Sequence, residues 1–222
     1  MKRTTKPRQK KYVLLTEKFF TTEERITILE CTEAKSIVDL AKGRQTWPVR
    51  WMLVHLAFYT GLRVSEIAAL TMADVLLSRK DPYICVRSGK GGKARDVYIE
   101  PNLVKHLREF VHIKRNWNQS TAPEAPLFAG RTGHCTTTTL YFSFKSAVKA
   151  AGLRSELSIH GARHTYAVML YHETKDMKAV QLQLGHPNMN MTSLYADIMP
   201  EERGAIVAKL SNTYKPLKPT KP

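Results

Sequence analysis

An almost wholly apolar run at residues 47–59 (WPVRWMLVHLAFY) constrains the fold of this chain more than any other feature. It is shorter than the roughly 18 apolar residues that span a bilayer, and no later apolar run reaches that length. A segment that is apolar nearly all round has to lie inside a protein core. The run therefore predicts a buried helix that ends at Gly61, with the next helix beginning near Val64.

Helical signals dominate on both sides of this run. Thr21 and Glu24 stand three apart as a capping box ahead of apolar positions, which predicts a helix start there, and a second helical stretch is expected to close at Gly43. Proline is favoured at the first position of a helix, and after Pro101 apolar residues recur at helical spacing. The remaining helices are predicted at 101–115, at 137–151 after a polar loop that ends near 136, at 160–172 and at 175–184.

Two short β-prone runs indicate a hairpin. YICV at Tyr83–Val86 and RDVYI at 95–99 are separated by the turn-rich SGKGGKA, so we expect paired strands with a mobile, cationic tip. The glycines of this tip do not form a nucleotide-binding loop, because the GxxxxGK[ST] spacing is missing and no helix follows directly. The predicted fold is mainly α with a small antiparallel β-sheet (α+β).

Charge points to a class of partner. The chain has 222 residues, 43% of them hydrophobic, which is enough for one sizeable core and one main domain. Its 35 Lys and Arg against 19 Asp and Glu give a formal net charge of +16, typical of a polyanion binder, with nucleic acid the leading partner. Charge alone also fits a ribosomal protein, an RNA-processing factor or a peripheral protein on an anionic membrane, so it does not define an activity.

Cysteine usage and the two ends of the chain bound its location. The three cysteines are far apart and form no CxxC pair, so neither a zinc site nor a disulfide framework is predicted. The basic first residues lack the apolar region of a secretory signal, and we expect a soluble, cytoplasmic protein that associates with the nucleoid when bound to DNA. The closing residues 213–222 are predicted to form a basic, proline-rich tail.

Residues 1–12 are predicted to form a basic flexible tail with almost no apolar content. Two interpretations of this tail stay open: it lies along a DNA backbone, or it is a solvated segment that only aids solubility. The candidate DNA-binding residues in it are Lys2, Arg3, Lys6, Arg8, Lys10 and Lys11.

The segment at 160–195 orders its polar residues in a way that suits attack on a phosphodiester, which needs cations, proton carriers and a nucleophile. His160 and Arg163 are three apart, so a helix presents imidazole and guanidinium to the same phosphate. His186 follows Gly185, where a chain reversal can aim its ring toward the site. Tyr195 is the predicted nucleophile, although most tyrosines are packing residues and a phenol with a pKa of about 10 needs nearby cations and a base.

Two upstream segments complete a cationic site. Arg63 and Glu66 share a helical face, and although such pairs are usually solvated, their apolar neighbours place the arginine beside the core. Lys90, with Lys93 as the less favoured alternative, flanks glycines at the hairpin tip, where it can neutralise a phosphate or protonate a leaving oxygen. Basic hairpin tips are commonly solvated turns, so the weight of Lys90 comes from the other groups.

Four segments, TGLRVSEIAAL, SGKGGKARDVYI, HGARHTYAVML and LGHPNMNMTSLY, resemble in order the sequence boxes of the tyrosine recombinases, the phage integrase family. The resemblance covers roughly residues 20–210, and the nine positions from His186 to Tyr195 are usual in that family. By position, it assigns Arg63 and Arg163 as catalytic arginines, Glu66 as the acidic residue beside the first, Lys90 as the hairpin lysine, His160 as the base, His186 as a phosphate ligand and Tyr195 as the nucleophile.

The resemblance implies that Tyr195 attacks a scissile DNA phosphate, leaving a 3'-phosphotyrosyl bond and a free 5'-hydroxyl that attacks a partner strand. It implies no metal and no ATP, since cationic side chains neutralise the charge and the covalent bond conserves the phosphodiester's energy. The implied partners are double-stranded DNA, further copies of the chain in a homotetramer on synapsed DNA, and accessory DNA-bending or directionality factors, with no membrane. A short helix near 200–210 is expected to cap its own core or to dock on a neighbouring protomer.

The expected catalytic domain spans residues 13–212, with no full N-terminal core-binding domain ahead of it because Arg63 comes too early. Two other functions stay open for this fold. One is a non-catalytic DNA-binding or regulatory protein, and the other is a DNA-relaxing enzyme like the type IB topoisomerases. The candidates at every catalytic position favour the recombinase.

Overall fold

The computed structural model describes residues 18–87 and 94–185. Helices and short antiparallel strands make up this part of the chain, which confirms the predicted fold class. The helices are α1 (Thr22–Ala41), α2 (Thr46–Thr60), α3 (Val64–Ala69), α4 (Pro101–Asn116), α5 (Thr137–Ala150), α6 (Ile159–Thr174) and α7 (Met177–Leu184). The strands are β1 (Val75–Leu76), β2 (Tyr83–Val86), β3 (Arg95–Tyr98), β4 (Ala129–Gly130) and β5 (Gly133–His134).

The predicted buried helix is confirmed in α2, which lies at the centre of the fold. It contacts α1, α4, α5 and α6, and ten of its fifteen residues are buried. It ends at Gly61, whose φ of +61° is the left-handed conformation that glycine adopts most readily. Because α2 is packed on several sides, the residues that follow it begin at a fixed position in the fold.

Helix α1 confirms the predicted capping box and corrects the predicted break. Thr21 Oγ1 accepts from the Glu24 N–H at 3.2 Å, and Glu24 Oε2 accepts from the Thr21 N–H at 2.9 Å. The prediction of a separate second stretch closing at Gly43 is wrong, because α1 runs unbroken from Thr22 to Ala41. No glycine or proline occurs within it, so nothing interrupts the backbone hydrogen bonds before Gly43.

Strands β1, β2 and β3 form one antiparallel sheet in that order. The β2–β3 pair confirms the predicted hairpin, with Tyr83 opposite Tyr98 and Val86 opposite Arg95. The predicted polar loop before 136 contains a second hairpin, β4–β5, which the sequence does not reveal because each strand is only two residues long. Buried Leu127 and Phe128 anchor this hairpin to the core.

The later helices begin and end within two residues of the predicted positions. Helix α6 packs against α2, and α7 packs against both α6 and β3, so the segment that carries the HxxR spacing lies between the core helix and the hairpin. Among the described residues, no helix combines the length and apolar character that a membrane crossing requires.

Candidate active site

The junction between α2 and α3 positions Arg63 and Glu66. Arg63 is the N-terminal capping residue of α3, and its backbone N–H donates to Glu66 Oε2 at 2.9 Å. Its Nη1 donates to Glu66 Oε1 at 2.7 Å. The charged pair predicted from the spacing is therefore present, with the carboxylate buried and the guanidinium partly exposed.

Glu66 also binds Arg95, which is not among the site residues predicted from the sequence. Arg95 Nη1 donates to Oε1 at 2.9 Å and Nη2 donates to Oε2 at 2.9 Å, the two-pronged geometry that arginine forms with carboxylates. A third guanidinium is close, since Arg163 Nη1 lies 3.9 Å from Glu66 Oε2. Three positive groups around one negative group leave a net positive site, as binding of an anion requires.

These contacts determine the charge state of Glu66. Burial by itself raises the pKa of a carboxyl group, but hydrogen bonds from the Arg95 side chain and the Arg63 backbone, together with both positive charges, lower the pKa of Glu66 to about 2. The carboxylate therefore stays ionised throughout the neutral range. A permanently charged Glu66 can hold the orientation of the arginines that surround it.

Arg163 is buried beneath the same site by its position on α6. Its Nη1 donates to the carbonyl of Gly61, and its Nη2 donates to the carbonyl of Leu184 at 2.8 Å. One side chain thus connects the end of α2 with the end of α7. Arginine suits this position because its planar fork serves two acceptors at once.

The C-terminus of α7 is bound by all three arginines. Its last carbonyls, at Gln183, Leu184 and Gly185, accept from Arg95 at 3.2 Å, from Arg163 at 2.8 Å and from Arg63 at 3.3 Å, respectively. Carbonyls at a helix C-terminus have no partner within the helix and carry partial negative charge, so cations there are stabilising. The described chain is therefore fixed up to Gly185, the residue before His186.

His160 lies at the exposed edge of this cluster, one helical turn before Arg163. Partial desolvation, followed by the positive charges of Arg163 and Arg63, lowers the pKa of His160 below its ordinary value. The imidazole is then neutral near pH 7 and able to accept a proton. His164 packs against Phe19, with ring centroids 5.6 Å apart, so it supports the fold beside the site.

The structure brings together the predicted residues Arg63, Glu66 and Arg163, with His160 at the edge of the cluster. It adds Arg95, which is not among the site residues predicted from the sequence. Several predicted site residues lie outside the described part of the chain. These are Lys90, Lys93, His186, Tyr195 and the basic residues of the first twelve positions. Their roles stay predictions.

A signal for Arg95 exists in the sequence. Strand residues alternate between faces, so Arg95 shares a face with Val97, which is buried, whereas Asp96 and Tyr98 are exposed. A charged residue on the buried face of a strand needs a partner of opposite charge. That partner, Glu66, is 29 positions away and becomes adjacent only when the sheet forms.

Comparison with known proteins gives consistent matches. A sequence model described as the phage integrase family matches residues 27–202. A tyrosine recombinase of Thermosipho africanus is 30% identical over 157 residues, covering 71% of this chain and 52% of the relative. The tyrosine recombinase XerD of Yersinia pestis is 32% identical over 151 residues, covering 67% of this chain and 50% of the relative. The chain spans about half the length of these curated relatives.

Solved structures share the fold. The crystal structure of XerA recombinase superposes with a TM-score of 0.66 at 21% identity, covering 96% of this chain and 68% of the other. The XerH site-specific recombinase bound to its difH substrate in a pre-cleavage complex gives a TM-score of 0.65 at 26% identity, covering 81% of this chain and 50% of the other.

Proposed function

Because the chain belongs to the phage integrase family, we propose that it is a site-specific DNA recombinase that cleaves and rejoins strands through Tyr195. The observation that carries this proposal is the convergence of Arg63, Arg95 and Arg163 on one buried carboxylate beside His160. The names of the relatives and the DNA-bound state of the XerH structure support it. The proposed catalytic domain spans residues 13–212.

The proposed chemistry begins at the tyrosine. The Tyr195 oxygen forms a bond to the scissile phosphorus, its proton passes to His160, and the bond from phosphorus to the 5'-oxygen breaks. Lys90, or Lys93 in its place, gives a proton to that 5'-oxygen, which leaves as a hydroxyl. Attack by a 5'-hydroxyl of a partner strand reverses the step, so no external energy source or metal enters the scheme.

The arginines supply charge stabilisation in this scheme. The pentavalent transition state gathers negative charge on its non-bridging oxygens, and preorganised donors aimed at that charge lower the barrier. Arg63 is the more accessible donor, because 21% of its side chain is exposed while it keeps its bond to Glu66. We assign Arg163 to the same phosphate and His186 to a hydrogen bond with it.

Double-stranded DNA is the proposed substrate, and a homotetramer on synapsed DNA is the proposed assembly. An apolar groove of about 960 Å³ between α6, α7 and the segment before α1 supports the second point. Phe19, Phe58, Tyr166 and Leu170 line it. We propose that residues 200–210 of a neighbouring copy fill the groove. Accessory DNA-bending or directionality factors, and a cytoplasmic, nucleoid-associated location, complete the proposal.

Covalent trapping tests the function. Duplexes that the protein selects from a random library are resynthesised with a nick or a phosphorothiolate and incubated with the protein. The expected result is a denaturant-resistant protein–DNA adduct, which disappears in Tyr195→Phe. The adduct should persist in the matched control Tyr141→Phe, at an exposed position of α5. Absence of an adduct on every selected site would instead favour the non-catalytic DNA-binding protein.

The trapped sample also tests the assembly. Light scattering on the synapsed complex is expected to give the mass of four chains with their DNA. Monomers alone would refute the homotetramer while leaving the cleavage chemistry intact.

A further inference from the structure

Arg95 occupies a position where three structural elements meet. It is the first residue of β3 and pairs with Val86 across the hairpin, so it borders the connection that contains Lys90. Only 12% of its side chain is exposed. A charged side chain that is buried to this extent needs contacts with acceptors inside the protein.

Those contacts join β3 to α3 and to the end of α7. The guanidinium binds both carboxylate oxygens of Glu66, and its Nε donates to the Gln183 carbonyl at 3.2 Å. It also packs closely on Gly185, where a Cβ atom would lie 2.8 Å from the Arg95 Cζ. The three elements are those that carry Arg63, the hairpin lysine and the residue before His186.

The contact with Glu66 reaches Arg63 directly. Glu66 Oε1 accepts from both Arg63 Nη1, at 2.7 Å, and Arg95 Nη1, at 2.9 Å. A change in the Arg95 fork therefore shifts the acceptor that orients Arg63. Lysine keeps the charge at this position but cannot supply two parallel bonds.

We propose that Arg95 is a positioning residue, which orients Arg63 through Glu66 and sets the hairpin against the end of α7 without contacting DNA. The expected loss of cleavage rate rests on the proposed recombinase function. The expected loosening of β3 and α7 does not depend on activity. If Arg95 contributed only net charge, Arg95→Lys would keep the wild-type rate. If Arg95 bound a phosphate directly, Arg95→Lys would lose DNA affinity.

The first experiment measures adduct formation by Arg95→Lys on the trapped-DNA assay. We expect a rate at saturating DNA that is about 10- to 100-fold lower, because small displacements of catalytic groups reduce rates by that order. The DNA concentration at half-saturation should stay unchanged. The matched control is Arg87→Lys, since Arg87 binds Asp74 from the same hairpin but does not reach Glu66. A wild-type rate in Arg95→Lys, or a loss of DNA affinity in place of rate, would overturn the proposal.

A double-variant cycle tests whether Arg95 acts through Glu66. The double variant Arg95→Lys with Glu66→Gln should be no slower than Glu66→Gln alone. Multiplied rate losses would show that the two residues act independently and would overturn the pathway through Glu66.

Hydrogen–deuterium exchange separates this proposal from the proposed function. In Arg95→Lys, amides in β3 and α7 should exchange faster than in the wild type, while Arg87→Lys leaves those of α7 unchanged. If the wild type forms no adduct, the recombinase proposal fails and the exchange result still decides the positioning role. Equal exchange of α7 in both variants would overturn that role.

Discussion

At the scale of single residues, His55 is a titratable side chain buried within the core helix α2. Only 5% of it is exposed, and its ring lies 4.3 Å from that of His106 and 5.3 Å from that of Trp51. Neither ring nitrogen has a hydrogen-bond partner among the described residues. Burial, followed by the charge of His106, lowers the pKa of His55 to about 3.

This predicts a loss of stability in acid. The unfolded chain binds a proton at His55 below a pKa of about 6.5, whereas the folded chain does so only near 3, so the free energy of unfolding falls as pH drops from 6.5 toward 3. The limiting slope is about 1.4 kcal/mol per pH unit for one such group. In His55→Phe, the unfolding free energy measured with urea should fall less steeply between pH 7.5 and pH 4.5 than in the wild type.

Part of the acid slope should persist in that variant. Burial, with His160, Arg163 and Lys18, lowers the pKa of His164 to about 4, so His164 contributes in the same pH window. The control is His112→Phe, at an exposed position of α4. An equal change of slope in the two variants would contradict the assignment to His55.

At the scale of elements, the end of α2 connects packing to the candidate site. A Cβ atom at Gly61 would lie 2.5 Å from Tyr166 Cδ1 and 2.7 Å from Leu184 Cδ2, in addition to the left-handed backbone. Gly43 has a similar φ, +66°, but no atom of the described residues lies within 4 Å of a Cβ atom placed there. The two glycines therefore separate backbone strain from crowding.

We predict that Gly43→Ala loses about 1 kcal/mol of unfolding free energy, the usual order for a left-handed alanine. Gly61→Ala should lose about 1–3 kcal/mol more, because the added methyl group overpacks a filled core. Urea denaturation measures both. Gly61→Ala should also slow adduct formation, since the Gly61 carbonyl anchors Arg163. Equal stability losses in the two variants would contradict the crowding argument.

The elements that were predictable from the sequence have local signals. The apolar run of α2, the Thr21–Glu24 capping box and the proline at the start of α4 each act within a few residues, and the structure has them where predicted. The two-residue strands β4 and β5 have no pattern long enough to detect. Their pairing accompanies the burial of the preceding Leu127 and Phe128, a tertiary contact that no local pattern predicts.

The candidate site divides in the same way. The spacing of His160 and Arg163 follows from helical periodicity, so the sequence predicts it. The spacing of Arg63 and Glu66 also predicts their pairing, although Arg63 caps the start of α3 and does not lie within the helix. The bond from Arg95 to Glu66 depends on the hairpin lying against α3, and the arginine contacts with the α7 carbonyls depend on how α6 and α7 pack. Strand alternation places Arg95 on the buried face of β3, but no local pattern identifies Glu66 as its partner or predicts the contacts with α7.

At the scale of the whole molecule, the excess of 35 basic over 19 acidic side chains should dominate the approach to the proposed DNA substrate. The three arginines of the candidate active site are held by Glu66 and by backbone carbonyls. They therefore shape the active site more than they add general affinity for DNA. Six basic residues of the first twelve positions, which lie outside the described residues, are the proposed source of additional phosphate contacts.

Salt dependence tests this contribution. Each side chain that neutralises a phosphate adds about 0.9 to the slope of log affinity against log salt. Replacing Lys2, Arg3, Lys6, Arg8, Lys10 and Lys11 together by glutamine should therefore reduce the slope by up to about 5 units. Fluorescence anisotropy on a labelled duplex over a salt series measures the slope.

A control variant with these six residues scrambled within the tail keeps the charge and should keep the slope, because counterion release depends on charge and not on order. A glutamine variant with the wild-type slope would show that the N-terminal tail is a solvated segment and that the rest of the chain binds the DNA backbone.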